Sequence, residues 1–409
     1  MRRNFESGSS SKGMTSDRRL HLGKTTLRAR LLLHSVCAIF TEDRLHLGKV
    51  TPQARLLLHS VCAIFAKIRK KDMKRRNIIW ILCALVVVLA IVGLLLWRAF
   101  YGNGVQSERE IFIGSRTDYA GVLDSLRPTL RHPRAFRRYA AHLDLERTYK
   151  PGHYVVRPGM STVGLVRMFK LGMQTPVRVS INNVRTRAQL AAKLARQLDA
   201  DSVQLMEALT DPALAREAGT DSLHLFSIFL PDTYEFYWTV TPADLVRRMG
   251  REWERFWTPE RERLRDRTGL SRAEVMTLAS IVYEETRKAD EMPRIAGVYM
   301  NRLRRGIPLQ ADPTVKYAMQ DFGLRRILYK HLRVDSPYNT YINKGLPPSA
   351  IAMPSLQAID AVLRFEVHDY IFFCARPAFD GYHNFARTLA EHNANARAYA
   401  RELNRRNIR

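Results

Sequence analysis

Four carboxylic acids lie within eight positions of the stretch ASIVYEETRKADE, residues 279–291, and Glu284 and Glu285 follow directly on an apolar run. A carboxyl group among apolar side chains loses solvation of its charged form, so its pKa rises and it holds a proton near neutral pH. Such a group is suited to general acid catalysis. The alternative is that these acids form the solvated end of a helix, and the choice depends on the face that each one occupies.

The residues after Ser271 predict a helix, because Ser271 and Glu274 have the spacing of a capping box. At about 100° per residue, Glu285 falls on the apolar face of this helix. Glu284 falls on the polar face with Ser280 and is expected to point to water. We therefore expect Glu285 to be the reactive acid, and its pairing with an arginine at the helix edge is the alternative.

The charge of the chain is distributed unevenly. The 409 residues have a formal net charge of +27, and the first 76 residues hold 18 Lys and Arg against 5 acids. Such a basic segment suits anionic lipid, and the milder positive charge beyond it suits an anionic polymer. Nucleic acid is not expected as a partner, because the sequence has no zinc-finger spacing, RNP-type motif or clear helix-turn-helix pattern.

Residues 73–105 contain a basic flank and a predicted membrane anchor. The anchor, IIWILCALVVVLAIVGLLLW at 78–97, has 20 residues without a charge, enough to span a bilayer as a helix. Positive charge stays on the cytoplasmic side. We therefore expect a single pass through the inner (cytoplasmic) membrane, with the N-terminus in the cytoplasm and the catalytic part in the periplasm. The alternatives are a buried core helix and a cleaved signal peptide, although no small-residue cleavage site follows Trp97.

Residues 1–72 contain a segment duplicated at an offset of 25 residues. The repeated blocks are RLHLGK at 19–24 and 44–49, and ARLLLHSVCAIF at 29–40 and 54–65. Two near-identical copies are too few for a solenoid, whose repeats also vary. We expect a recent duplication, or translation from a wrongly chosen start with Met73 as the alternative, and we assign this cytoplasmic segment no function.

Beyond the anchor, the patterns predict an α+β fold in three parts. Residues 106–178 predict a small unit of short strands and helices, including a helix that stops at Gly172. Residues 179–246 predict a connecting α/β subdomain. Residues 247–409 predict a mainly helical domain with short strands, which holds the candidate acid.

No metal or cofactor is expected. The four cysteines, Cys37, Cys62, Cys83 and Cys374, have neither the spacing of a metal knuckle nor an evident disulfide partner. No other residue set has metal-ligand spacing, and no glycine-rich loop fits a phosphate.

Several motifs together resemble the endolytic murein transglycosylases, a family of inner-membrane enzymes that cut peptidoglycan glycan strands. They are YKPGHYVV, LPDTYEFYW, LASIVYEET, GVYMNRLRRGIPLQADPTVKYAM, SPYNTYINKGLPPSAIAMPS and YHNFARTLAEHN. The resemblance runs from about Met73 to Asn404. It implies that residues 106–178 are a LysM-like glycan-binding module and that 247–409 is the catalytic domain.

The resemblance implies that Glu285 is the catalytic acid, because the family has this glutamate directly before the threonine of the helix motif. The family commonly has another acid two residues earlier, where this chain has Tyr283. This departure suggests that the earlier acid is not essential, or that local substrate contacts differ.

The implied reaction is cleavage of the β-1,4 bond between N-acetylmuramic acid and N-acetylglucosamine in nascent strands, with formation of a 1,6-anhydro end. Such an enzyme is expected to terminate glycan elongation, and its expected partners are peptidoglycan strands, the lipid bilayer and wall-synthesis enzymes. Two alternatives remain: a hydrolytic muramidase that uses Asp312 as a second carboxylate, and a non-catalytic glycan-binding scaffold. Ordinary glycosidases need two carboxyl groups, about 5 to 9.5 Å apart.

Polar and aromatic residues on the remaining motifs are candidate substrate contacts. They are Gln310, Asp312, Thr314, Tyr338, Asn339, Thr340, Asn301 and His383, with Arg302 and Asn384 beside the last two. The alternatives are that Asp312 caps the helix that starts at Pro313, and that Tyr338 packs in a turn. An exposed helix face would equally account for Asn301, and a structural role for His383.

Overall fold

The computed structural model describes residues 75–324 and 327–406, so the duplicated segment 1–72 lies outside the described residues. The helices are α1 (Arg75–Tyr101), α2 (Tyr119–Leu126), α3 (Pro133–His142), α4 (Leu145–Thr148), α5 (Thr162–Leu171), α6 (Arg187–Ala195), α7 (Ser202–Ala208), α8 (Pro212–Glu217), α9 (Pro242–Phe256), α10 (Pro259–Thr268), α11 (Arg272–Glu285), α12 (Met292–Arg304), α13 (Asp312–Met319), α14 (Leu356–Leu363) and α15 (Leu389–Arg405). The strands are β1 (Arg109–Ile113), β2 (Gly152–Val156), β3 (Val177–Ile181), β4 (Asp232–Phe236), β5 (Phe372–Ala375) and β6 (His383–Ala386), and 3₁₀ turns span Leu225–Ile228 and His331–Arg333. The described part of the protein is therefore mostly helical with short strands, in agreement with the predicted α+β fold class.

Helix α1 contains the apolar segment that the sequence singles out. Within its residues Ile78–Tyr101, an 18-residue window has a mean hydropathy of 3.3, and none of that window is buried. In the part of the chain that the structure describes, this is the one helix long and apolar enough to cross a membrane.

The chain divides into two units, Met1–Ile91 and Val92–Arg409. The second unit contains the three sheets of the described residues, each an antiparallel pair: β1 with β2, β3 with β4, and β5 with β6. The β5–β6 hairpin lies within 247–409, where short strands were predicted without positions, because four-residue strands leave little periodicity to locate them.

A first hydrophobic core of the second unit lies between the β1–β2 pair and helices α2 to α5. Phe136, Tyr154 and Phe169 are among its fully buried residues. Ser161 caps α5 through the backbone N–H of Gly164, and Gly172, with φ of 67°, ends this helix as predicted.

A second hydrophobic core runs from Val179 to Leu363 and is shared by both of the later segments expected from the sequence. Strand β3 belongs to this core through its pairing with β4, so the expected division after residue 178 falls inside a strand. Outside both cores, Ser115 donates two hydrogen bonds to Asp199, at 2.5 and 3.0 Å, and so links the segment after β1 to the segment after α6.

Helix α11 lies at the centre of the second core. The predicted capping box is present, because Ser271 and Glu274 each accept a hydrogen bond from the other's backbone N–H. The predicted polar face is not solvated: Thr277 and Ser280 are buried, and their hydroxyls donate to the carbonyls of Ala273 and Thr277. Serine and threonine hydroxyls can donate hydrogen bonds to carbonyl groups of their own helix. Their positions therefore say little about which face of the helix is exposed to solvent.

Candidate active site

Glu285 is the last residue of α11, where the chain leaves helical geometry at Thr286. Its Oε1 accepts a hydrogen bond of 2.7 Å from the hydroxyl of Tyr299 on α12. Burial raises the pKa of the Glu285 carboxyl to about 7; the Tyr299 bond acts to lower it, and the negative charge of Asp312 acts to raise it. The group therefore exchanges its proton near neutral pH, which is what a general acid and base requires.

Tyr299 is a fixed hydrogen-bond donor to this carboxyl. The residue is 1% exposed, and burial together with the charge of Glu285 holds its pKa well above the usual value. The ring of Phe373 on β5 packs edge-on against it, with the centroids 5.8 Å apart. Within the described part of the chain, no hydrogen bond engages Oε2 of Glu285, so this oxygen is left for a ligand.

Glu284 does not point to water as the helical projection predicts. Its side chain is only 15% exposed and accepts hydrogen bonds from Arg185 at 2.9 Å and Arg287 at 3.2 Å. Arg185 comes from the loop before α6, which covers this side of α11. Glu284 is therefore a paired structural acid, and Glu285 is the acid without a cationic hydrogen-bond partner.

Asp312 is the first residue of α13 and does not cap it. The N-cap position belongs to Ala311, and no side chain caps this helix. Instead, Oδ1 of Asp312 accepts a hydrogen bond of 2.6 Å from the hydroxyl of Tyr341. Burial, followed by this bond, raises the pKa of Tyr341 far above its usual value, so Tyr341 stays protonated and acts as a donor.

Asp312 and Lys316 are close enough to Glu285 to act on its titration in opposite directions. The negative charge of Asp312 raises the pKa of Glu285, and the positive charge of Lys316 lowers it. Lys316 lies one turn after Asp312 on α13, so both side chains project from the same side of that helix. The site thus contains two carboxyl groups, each held by a tyrosine hydroxyl.

Three of the candidate contacts, Thr314, Asn339 and Thr340, are 0–1% exposed. The hydroxyls of Thr314 and Thr340 lie 2.8 Å apart, and Thr340 Oγ1 also accepts from the N–H of Ala311. Asn339 donates to the carbonyls of two loop residues, Leu332 and Val334. In the structure these side chains form hydrogen bonds within the protein. The buried polar groups of the loop that places Tyr341 beside Asp312 need such internal partners.

Asn301 and Arg302 also support the surroundings of the site. Asn301 donates to the carbonyls of His368 and Tyr370, so it is not on an exposed helix face. Arg302 is buried and donates to Leu309 O at 2.8 Å and, at 2.7 Å, to the side-chain oxygen of exposed Gln310.

Tyr338 and His383 are partly buried at the edge of this region. The Tyr338 hydroxyl lies 2.7 Å from that of Ser349, and its ring packs 4.8 Å from that of Tyr317. Nδ1 of His383 lies 2.8 Å from a carboxylate oxygen of Glu291, which is 4% exposed.

Tyr299, Tyr341 and the structural role of Glu291 were not predicted from the sequence. Tyr299 and Tyr341 both lie inside quoted motifs, and their presence there was the available signal. Within the described residues, no group of His, Cys, Asp and Glu side chains could hold a metal ion.

Comparison with known proteins identifies relatives across most of the chain. A model of the YceG-like family matches residues 111–398. The endolytic murein transglycosylase of Bacillus subtilis (strain 168) is 27% identical over 291 residues, which are 67% of this chain and 79% of that protein. The endolytic murein transglycosylase of Streptococcus pneumoniae serotype 2 (strain D39 / NCTC 7466) is 26% identical over 325 residues, 72% of this chain but only 56% of that protein.

A solved structure is also similar. The crystal structure of a yceG-like protein from Listeria monocytogenes has 25% sequence identity, covers 70% of this chain and 98% of that chain, and superposes with a TM-score of 0.48. The family match runs from β1 into α15, so it includes both Glu285 and Asp312 with their tyrosines. The chain belongs to the YceG-like family, which confirms the family predicted from its motifs.

Proposed function

We propose that the protein is an endolytic peptidoglycan lytic transglycosylase that cleaves the β-1,4 bond between N-acetylmuramic acid and N-acetylglucosamine. The observation that carries this proposal is the Glu285 carboxyl, with a pKa of about 7 and one oxygen bound to Tyr299. The names of the Bacillus and Streptococcus relatives support murein as the substrate class.

In the first step, protonated Glu285 donates its proton to the glycosidic oxygen as the bond from that oxygen to C1 of the muramic acid breaks. In the second step, the C6 hydroxyl of the same sugar attacks C1 and gives its proton to the Glu285 carboxylate. Glu285 is thereby restored, no water is consumed, and the product ends in a 1,6-anhydro ring. An intramolecular nucleophile has a high effective molarity, so one carboxyl group suffices.

Asp312 has an electrostatic role in this proposal. Its negative charge, oriented by Tyr341, favours the protonated form of Glu285 and stabilises positive charge that develops at C1. The same pair supports the second candidate function, a muramidase in which Asp312 serves as the second carboxyl group. The two functions differ in whether water enters the product.

Asp312 and three further exposed or partly exposed residues, Gln310, Tyr338 and His383, are proposed to bind the sugar. Gln310 is exposed and held by Arg302, and Asp312 is exposed on α13. Tyr338 offers a partly exposed ring for stacking, and His383 a ring fixed by Glu291.

We further propose that α1 anchors the enzyme in the inner membrane, with the described residues after it in the periplasm. The length and hydropathy of Ile78–Tyr101 support this placement. The unit of α2 to α5 around the β1–β2 pair is proposed to be LysM-like and to bind glycan, because β1, the helices α2 to α4 and β2 follow one another and the two strands pair. Cleavage at this location would end the elongation of nascent strands and bring the protein near wall-synthesis enzymes.

Mass spectrometry of digested glycan tests the proposed reaction. Purified protein is incubated with glycan strands, and the new ends are compared with those made by a muramidase. A lytic transglycosylase leaves ends one water lighter than hydrolytic ends. Reducing ends alone would establish the muramidase, and intact polymer would establish a non-catalytic protein.

A further inference from the structure

A strongly basic surface lies on α3 and on the segment that precedes it. Residues 127–143 contain five arginines and neither Asp nor Glu. All five are exposed, and together they are called the arginine surface: Arg127, Arg131, Arg134, Arg137 and Arg138. Phe136 and Ala140 of α3 are buried in the first core, so the arginines of this helix lie away from the face that packs.

Four of these arginines have no acidic partner. Within the described part of the chain, no ion pair engages Arg127, Arg131, Arg134 or Arg137. A guanidinium group can donate two parallel hydrogen bonds to a phosphate group. Several unpaired arginines on one surface therefore suit phosphate-bearing headgroups or another anionic polymer, and the place of the surface in the fold decides between them.

Backbone pairing brings the arginine surface to the end of α1. The N–H of Arg131 donates a hydrogen bond of 2.8 Å to the carbonyl of Gly104, and Val105 forms an antiparallel bridge with Leu130. Gly104 comes three residues after Tyr101, the last residue of α1, and three residues extend at most about 11 Å. The backbone of Arg131 therefore lies close to the end of the proposed anchor.

Side chains of the last turn of α1 also contact this part of the fold. The ring of Phe100 lies 6.1 Å, between centroids, from that of Tyr139 on α3. The hydroxyl of Thr162, the first residue of α5, donates a hydrogen bond of 2.9 Å to the carbonyl of Ala99. Since a helix rises about 1.5 Å per residue, the arginines of α3 lie within about 8 Å of Tyr139 along the helix axis.

The same turn of α1 has the residue types of a membrane–water interface. Trp97 and Tyr101 are each 60% exposed, and exposed Arg98 lies between them. Trp and Tyr concentrate at the level of the lipid headgroups. This level therefore coincides with the turn that contacts Tyr139. Charges within about 8 Å of one another are little screened at physiological salt.

We propose that the arginine surface binds anionic phospholipid headgroups of the membrane that α1 enters, an inference that rests on the proposed anchoring. The arginines lie beyond the ~20 residues over which flanking charges set the orientation of an anchor, so they do not oppose the proposed topology. The fold then returns them to the headgroup level. The unit of α2 to α5 would thereby lie on the membrane surface instead of moving freely on its anchor.

Arginine-specific footprinting of the full-length protein in lipid nanodiscs tests this surface. The discs contain phosphatidylcholine alone, or equal parts of phosphatidylcholine and phosphatidylglycerol, and phenylglyoxal modification is measured by peptide mass spectrometry. Arg131, Arg134 and Arg137 are expected to react about fivefold more slowly in the anionic discs, the factor for one arginine beside an anionic surface. At about 1 M salt this difference should disappear, because the Debye length falls to about 3 Å. Exposed Arg397 and Arg401 on α15 are the internal control and should react equally in both discs.

Variants test the same surface through the backbone. In the wild type, amide hydrogen exchange of α3 is expected to be about fivefold slower in anionic than in zwitterionic discs. The combined change Arg131→Gln, Arg134→Gln and Arg137→Gln should remove this difference while exchange of the buried β1–β2 pair stays unchanged, which shows that the unit is still folded. The matched control replaces three exposed arginines elsewhere, Arg267, Arg397 and Arg401, by Gln and should retain the difference.

Three outcomes would overturn the proposal: equal reactivity of the arginine surface in both discs, equal slowing of Arg397 and Arg401, or the same loss in the two triple variants. Protection by added glycan strands in zwitterionic discs, without protection by phosphatidylglycerol, would assign the surface to glycan instead.

Neither measurement requires cleavage. A protein that enters the discs but shows no lipid-dependent protection would therefore leave the proposed reaction standing. Conversely, protection in a protein that leaves no anhydro ends would retain the lipid surface and refute the reaction. A protein that does not enter the discs would refute the anchor, and the proposed surface with it.

Discussion

The hydroxyl of Tyr299 lies 2.7 Å from Oε1 of Glu285, and each group changes the protonation of the other. The hydrogen bond opposes the rise in the pKa of Glu285 that burial causes, and the Glu285 charge contributes to the rise in the pKa of Tyr299. Tyr299 therefore remains a donor while Glu285 changes its charge. One oxygen of the carboxyl group is fixed in this way, which leaves Oε2 as the proposed proton-transfer site.

Glu285→Gln is expected to abolish the formation of anhydro products while the protein still folds and binds glycan. Glutamine keeps the volume but cannot deliver a proton, and the loss of general acid catalysis alone lowers the rate about 10²- to 10⁴-fold. Product mass spectra measure the effect. The matched control is Glu284→Gln on the neighbouring residue; an inactive Glu284→Gln beside an active Glu285→Gln would refute the assignment.

Glu285→Gln is also expected to change how stability depends on pH. The folded pKa of Glu285, about 7, lies above the ordinary value of 4.5, so the stability present below pH 4.5 is lost as pH rises through 7. The glutamine variant should therefore exceed wild type by up to about 3 kcal/mol at pH 8 and by little at pH 4. Urea unfolding at both pH values measures this difference.

The control for stability is again Glu284→Gln. This change removes the ion pairs of Glu284 with Arg185 and Arg287, so it is expected to lower stability at pH 8. A gain at pH 8 in both variants would mean that general reduction of negative charge, and not burial of Glu285, is responsible.

Tyr299→Phe is expected to move the alkaline limb of the pH profile of kcat/KM to higher pH. Tyr299 lowers the pKa of Glu285, so its removal raises that pKa, by up to about one unit. Tyr338→Phe is the control, because that hydroxyl bonds to Ser349 and not to Glu285. A shift to lower pH in Tyr299→Phe would contradict the conclusion that this hydrogen bond lowers the pKa of Glu285.

The proposed membrane placement of α1 predicts the topology of the chain. A reporter fused after Arg409 should be active when it requires export and inactive when it requires the cytoplasm. The positive charge before Ile78 and the unburied apolar surface of Ile78–Tyr101 are the physical reasons. Activity of a cytoplasmic reporter alone would reverse the orientation and remove access to murein.

Local sequence pattern was sufficient to predict helix α11 and the position of Glu285 on its apolar face. The capping box begins the helix, and the apolar positions fix its rotation. The pattern did not predict the burial of Glu284, because Arg185 pairs with it from 99 residues away. Helical projection describes one helix in isolation and contains no information about the loop that covers it.

The tyrosine donors illustrate the same limit. Tyr299 is 14 residues from Glu285, and Tyr341 is 29 residues from Asp312. Each hydrogen bond joins residues from two different parts of the fold. The hydrophobic periodicity of one helix or strand therefore cannot predict that the hydroxyl lies next to the carboxyl group. The alternative that Asp312 caps α13 is wrong for a related reason: Asp312 lies one position inside the helix, and the Tyr341 hydroxyl donates a hydrogen bond to it instead.

Asp312→Asn distinguishes an electrostatic role from a nucleophilic one. The charge of Asp312 raises the pKa of Glu285, so its removal lowers that pKa and moves the alkaline limb of kcat/KM to lower pH. In the transglycosylase, the products of Asp312→Asn remain anhydro and the rate falls modestly.

Tyr341→Phe is expected to cause a smaller loss of rate than Asp312→Asn, because it keeps the negative charge of Asp312 but removes the hydrogen bond that orients it. Asp335→Asn removes an exposed acid elsewhere and should have no effect. If Asp312→Asn is as inactive as Glu285→Gln, and the wild-type products carry reducing ends, then Asp312 is the second carboxyl of a muramidase and the tyrosine-held pair is its catalytic dyad.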